Sequence, residues 1–123
     1  MDSEELKQRT KQFALRIIRL VESLPKSTTG RAISNQLVRS GTSTAANYRA
    51  VCRSRSKADF ISKLGIVIEE CDESAFWMEL VVDSNLMKKD LIDPLLNEAN
   101  ELVAIFVSSR KTSMENNKSK NKS

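Results

Sequence analysis

The chain has 123 residues, with 20 Lys and Arg against 16 Asp and Glu and no histidine. That length makes one domain able to bury a core without cross-links, and the missing histidine excludes Ser–His and Cys–His nucleophile pairs. The two cysteines, Cys52 and Cys71, stand at no metal-ligand or redox-motif spacing, which predicts reduced thiols in a cytoplasmic protein with no cofactor.

The first residues, MDSEELKQRT, are charged and form no signal peptide. No apolar run approaches the roughly 18 residues that a membrane span requires, so no membrane partner is expected. With 3 glycines and 2 prolines, the composition favours helix. Charge is segregated along the chain. Residues 1–68 hold 13 basic and 5 acidic side chains, residues 69–107 hold 2 and 10, and residues 108–123 hold 5 and 1. The two halves must pair within the fold or present faces of opposite sign.

Four segments carry apolar residues at helical spacing. The first helix is predicted over about 3–24. Asp2 and Glu5 resemble a capping box, and Leu6, Phe13, Ile17, Leu20, Val21 and Leu24 form its stripe. Pro25 ends it, because the residue before proline avoids the α region. The second is predicted over about 28–52, with Ile33, Leu37, Gly41, Thr44, Tyr48 and Val51 on one face. Ser40 to Thr44 are poor helix formers, but their small size lets a neighbouring helix approach closely.

After a turn at Arg53 to Ser56, the third helix is predicted over about 56–83, capped by Ser56 with Asp59 three positions on. Its stripe is Phe60, Leu64, Val67, Ile68, Cys71, Ala75, Met78 and Val82. The fourth is predicted over about 90–111, starting near Asp90 or at Asp93-Pro94, where proline suits the first turn, with Leu95, Ala99, Leu102, Val103 and Phe106 inward. Residues 113–123 lack aliphatic periodicity and read as a disordered basic tail. Residues 1–112 are therefore expected to form an all-α, antiparallel up-down-up-down four-helix bundle.

On a helical wheel, Arg31, Arg39, Arg49 and Arg53 fall within an arc of roughly 80°, spread over about 33 Å if the helix is straight. Arg55, Lys57 and Lys63 extend this basic region. Arginine forks match phosphate oxygens, so the pattern predicts salt-sensitive nucleic-acid binding. The same pattern suits a solvated face, or one paired with the acids of the third helix. Those acids, Glu69, Glu70, Asp72 and Glu73, diverge around the helix and favour ion pairing over a metal site. A second apolar line on the third helix, Ile66, Trp77 and Leu80 beside Glu73, predicts an oligomer interface; an edge-of-core tryptophan in a monomer is the alternative. No nucleophile–base arrangement and no phosphate-binding glycine loop is present, so no enzymatic activity is expected.

The segment Arg39–Leu80 resembles the four-helix-bundle family of proteins encoded by intervening sequences in bacterial large-subunit rRNA genes, a family related to the accessory variability determinant of diversity-generating retroelements. The resemblance rests on Ala45-Ala46-Asn47, Tyr48-Arg49-Ala50, the arginine-rich turn, Lys57-x-x-Phe60 and the glutamate-rich third helix. It covers about residues 5–110, although Thr42-Ser43-Thr44 replaces a Ser-Ile-Pro-like run found in many relatives. It implies assembly as a homopentameric barrel. In the retroelement branch it also implies nucleic-acid binding and contact with a reverse transcriptase, with Arg39, Arg49, Arg53 and Arg55 as the carried-over contacts. The leading expectation is a non-enzymatic oligomer that binds RNA or DNA through its arginine face. The alternative is a protein-protein interaction module that binds no nucleic acid.

Overall fold

The computed structural model describes the backbone of residues 1–122 and side chains through Lys118. It contains helices α1 (Ser3–Ser23), α2 (Thr28–Val51), α3 (Lys57–Asp83) and α4 (Lys89–Lys122), with no strand among the described residues. Three N-termini are closed by short polar side chains. Asp2 Oδ1 accepts from the Glu5 amide at 2.9 Å. Ser27 and Ser56 Oγ accept from the Gly30 and Asp59 amides, each at 3.0 Å. Each removes a donor that the first turn would otherwise leave unpaired. Asn85 ends α3 with φ 59°, a left-handed conformation that asparagine tolerates.

The apolar stripes meet in one core. Phe13, Ile17, Leu37, Leu64, Val67, Met78, Ile92, Leu102 and Phe106 are fully or nearly fully buried in it. Tyr48 stacks on Phe106 with ring centroids 5.3 Å apart. Chain neighbours pack closely on one another, and α1 and α4 meet along a sparser seam. A fork closes that open seam. Arg9 binds Glu98 through two contacts of 2.8 and 2.7 Å and reaches Glu101 at 2.8 Å. The hydrogen bonds it donates to these carboxylates, Glu98 foremost, hold the Arg9 guanidinium well above its ordinary pKa.

Ser40 to Thr44 do not interrupt α2. Gly41 lies against Ile17 of α1, where a Cβ would meet side-chain carbons at 2.8 and 2.9 Å. Ser40, one residue earlier, faces α3 and accepts from buried Ser74 Oγ at 2.8 Å. Small residues thus serve two helix contacts, about 100° apart around α2.

Three expectations need correction. Val81 rather than Val82 continues the fully buried line of α3, because Cys71, Ser74, Met78 and Val81 follow alternating steps of three and four. Helix α4 begins at Lys89, so Pro94 sits beyond its first turn. And α4 does not run out at about Lys111 with a disordered 113–123: the helix continues to Lys122. No glycine or proline breaks this segment. Glu115 stands four residues from Lys111 and three from Lys118, spacings that support helix, and Arg110 Nη1 donates to Met114 Sδ at 3.6 Å. Ser123 lies outside the described residues.

Candidate functional site

The arginines of the predicted face separate into three groups. Arg39 reaches across to α3 while staying partly exposed. Its Nη1 lies 3.0 Å from Glu70 Oε2, and its Nη2 pairs with Glu73 Oε2. Bonding to Glu73, with the Glu70 charge in support, raises its pKa above the ordinary value. The reason is angular. On α2, Arg39 is rotated roughly 80° from Arg31 and Arg49, and that rotation turns it to the α3 side. The same contact occupies two of the four clustered acids of α3.

Arg31 stands at the opposite end of α2 from the remaining arginines, about 27 Å from Arg49 along the axis. It lines a cavity of about 400 Å³ with Val21, Pro25, Lys26, Asn35 and Val38.

The third group converges. Arg49, Arg53, Arg55 and Lys63 line one groove of about 420 Å³, with Ala46 and Ala50 as its small-residue floor. Helix α2 supplies Arg49, the connecting turn supplies Arg53 and Arg55, and the second turn of α3 supplies Lys63. Backbone bonds hold that turn: the Arg53 amide donates to Ala50 O at 3.1 Å and the Ser54 amide to Val51 O at 3.0 Å. The Arg55 amide donates to Asp59 Oδ2 at 3.1 Å, and Lys63 Nζ lies 3.0 Å from the same oxygen. These two bonds, the Arg55 amide foremost, pull the Asp59 carboxyl below its ordinary pKa. Among the described residues, Arg31, Arg49, Arg53, Arg55 and Lys57 have no carboxylate at ion-pair distance. Lys57 is exposed at the start of α3 but does not line the groove.

A second groove of about 500 Å³ adjoins the first, sharing Ala46 and Arg49. Its other wall is the first three turns of α1, with Lys7 and Lys11. Sequence reasoning missed both lysines. Their only signal is the run of cations on the outer side of α1, and that becomes informative once the neighbour of α1 is known.

The expected interface residues are distributed as follows. Ile66 is 44 % exposed. Trp77 and Leu80 are half-buried and packed against the core. Trp77 Nε1 donates to Glu73 at 3.4 Å, so Glu73 is bound to both Trp77 and Arg39. Phe76, which the periodic stripe omitted, is 49 % exposed and meets Trp77 edge-on with centroids 5.2 Å apart.

A family model described as 23S rRNA-intervening sequence protein matches residues 3–108. The chain belongs to that family. This intervening-sequence family member is also similar to the crystal structure of a protein of unknown function from the S23 ribosomal protein family of Bacteroides thetaiotaomicron. The two share 32 % identity with a TM-score of 0.83, over 90 % of this chain and 99 % of the other. Among curated proteins, none matches. Among the described residues, no helix of the family member is long and apolar enough to cross a membrane.

Proposed function

We propose that this intervening-sequence family member is a cytoplasmic, non-enzymatic protein that binds nucleic acid by its phosphates, through the surface formed by α1, the end of α2 and the turn after it. The observation that carries this reading is the convergence of Arg49, Arg53, Arg55 and Lys63 on one groove, with Lys7 and Lys11 beside it. Guanidinium and ammonium groups stay protonated near neutrality, so they suit charge recognition rather than proton transfer. Neither groove is lined by an aromatic ring on which a base would stack. Arg39, bound to α3, is set apart from the contact surface, and Arg31 lines a separate groove at the other end of α2.

The assembly proposed with it is an antiparallel up-down-up-down bundle joined into a homopentameric barrel. The antiparallel order is supported by the short connections between helices that pack on one another, residues 24–27, 52–56 and 84–88. The resemblance supports the pentamer and, in a retroelement setting, a reverse transcriptase as partner. An interaction module without nucleic-acid binding is the second reading. It is favoured by Arg39, which shows that one cation of this face already serves a carboxylate.

Electrophoretic shift of RNA and DNA across a salt series tests the proposal. With three or four phosphate contacts per protomer, affinity falls about 40- to 150-fold between 50 and 200 mM salt. Arg49→Ala, Arg53→Ala and Arg55→Ala each weaken binding and flatten that dependence. No shift at low salt, or binding indifferent to all three changes, leaves the interaction module standing.

A further inference from the structure

We infer that the Arg49–Arg53–Arg55–Lys63 groove is an end-binding site that takes the 5′-terminal phosphates of a nucleic-acid strand, while the adjoining Lys7–Lys11 groove carries the strand onward. This rests on the nucleic-acid reading above and specifies which part of the ligand each groove takes.

The first consideration is charge. An internal phosphodiester carries one negative charge, and successive phosphates in a strand are spread along its length. Three arginines without an ion-paired carboxylate, beside Lys63 whose charge Asp59 offsets, line a single groove of about 420 Å³ and supply more positive charge than one such group neutralises. A terminal phosphate carries about −1.5 to −2 near neutrality, and a terminal triphosphate carries more in nearly the same space.

The second is shape and chemistry. A groove of this size is within the range of small-ligand sites. Its floor is two alanines, with no ring to stack a base and no amide side chain to read one. It therefore suits the phosphate end of a ligand rather than its base. Arg49, Arg53 and Arg55 have no carboxylate at ion-pair distance among the described residues. Lys63 is held in place by Asp59, which the groove does not include in its lining.

The third is continuity. Ala46 and Arg49 line both grooves, so a strand anchored by its end passes Arg49 and meets Lys7 and Lys11 on α1. Lys7 lies 2.9 Å from Glu4, an exposed carboxylate that lines the same groove. That pair is solvent-screened and worth little, so phosphate can compete for the lysine.

The experiment uses one short RNA sequence prepared with a 5′-hydroxyl, a 5′-monophosphate or a 5′-triphosphate, with GTP as the free-nucleotide arm. The full chain binds the triphosphate form at least about tenfold more tightly than the hydroxyl form, the effect of a single charge-assisted contact. Arg53→Ala with Arg55→Ala brings the three forms together. Lys7→Ala with Lys11→Ala weakens all three and preserves their ratio. Both pairs sit on exposed or half-buried surface, and circular dichroism confirms that the variants fold. Equal affinity for the three RNAs overturns the inference while leaving the function reading intact. So does a 5′-end preference that survives in the Arg53/Arg55 variant. GTP bound as tightly as the triphosphate RNA assigns the groove to free nucleotide and also overturns it. Failure to bind any RNA removes both the inference and the function reading.

Discussion

Gly41 and Gly65 show how position decides the effect of the same methyl group. At Gly41 a Cβ would collide with Ile17, which is 0 % exposed and has no room to yield. Alanine gains up to about 1 kcal/mol of helix propensity there, but overpacking a filled core costs about 1–3 kcal/mol. Gly41→Ala is therefore destabilising. At Gly65 the nearest atom is Arg110 Nε, 3.4 Å away at ordinary van der Waals distance and bonded to Ile61 O, so Gly65→Ala is neutral or stabilising. Paired urea titrations check the contrast, and equal midpoints would contradict the close approach of α1 and α2. Cys71 makes a second residue-scale prediction. Burial pushes its thiol from an ordinary 9.0 up to about 12. Between those values the folded state holds a proton that the unfolded chain has released. Stability is thus complete below pH 9 and declines as pH rises toward 12, by up to about 1.4 kcal/mol per unit. Tyr48, also raised chiefly by burial, adds its share above its ordinary 10.0. Cys71→Ala should keep the urea midpoint level from pH 9 to 10, where the parent chain already declines.

At the scale of elements, α2 and α3 are joined by an ion pair that subtracts from the proposed surface. Glu70 and Glu73 hold Arg39 on the α3 side. Replacing both by glutamine frees the Arg39 guanidinium about 15 Å along α2 from Arg49. The double variant should bind nucleic acid more tightly, by a few-fold for one added phosphate contact at moderate salt, with a steeper salt dependence. Unchanged affinity in a salt-series titration would mean that Arg39 lies off the ligand's path. The elements also show where periodicity reads well. All six stripe residues named on α2 are buried, because a 3.6-residue repeat is a local property of the chain. Phe76 escaped that reading because Trp77 next to it carried the apolar signal, and neighbours on a helix face different directions. Lys7 and Lys11 escaped it because a cation on α1 gains meaning only beside α2.

For the whole molecule, the segregation of charge along the chain resolves unevenly. Arg9 with Glu98 and Glu101, and Arg39 with Glu70 and Glu73, join the basic and acidic halves. The cations around the α2–α3 turn remain largely outside such pairs. Ile66 and Phe76 stay 44 % and 49 % exposed on α3, where a barrel of five chains would have apolar surface to cover. Light scattering at micromolar concentration should return five times the 13.8 kDa chain mass, and Phe76→Asp should lower it toward one. A monomeric parent chain would rule out the barrel.

Sequence alone determined the four helices, their caps at Asp2 and Ser56, most of the core and the basic character of the α2–α3 turn. Each is set by side-chain chemistry within a few positions of the backbone it controls. It placed the end of α4 too early, because it looked for an apolar stripe where spaced charges and the absence of breakers carry the helix on. Only the tertiary structure decided which arginines remain available. Arg39 and Arg49 share a residue type and a helix, and sequence put them on one face. A rotation of roughly 80° gives the first to the carboxylates of α3 and leaves the second in the groove. Which helix stands beside a given face is a long-range fact, and ion pairing acts only over a few ångströms. Charge along the chain therefore becomes function only after packing has assigned the neighbours.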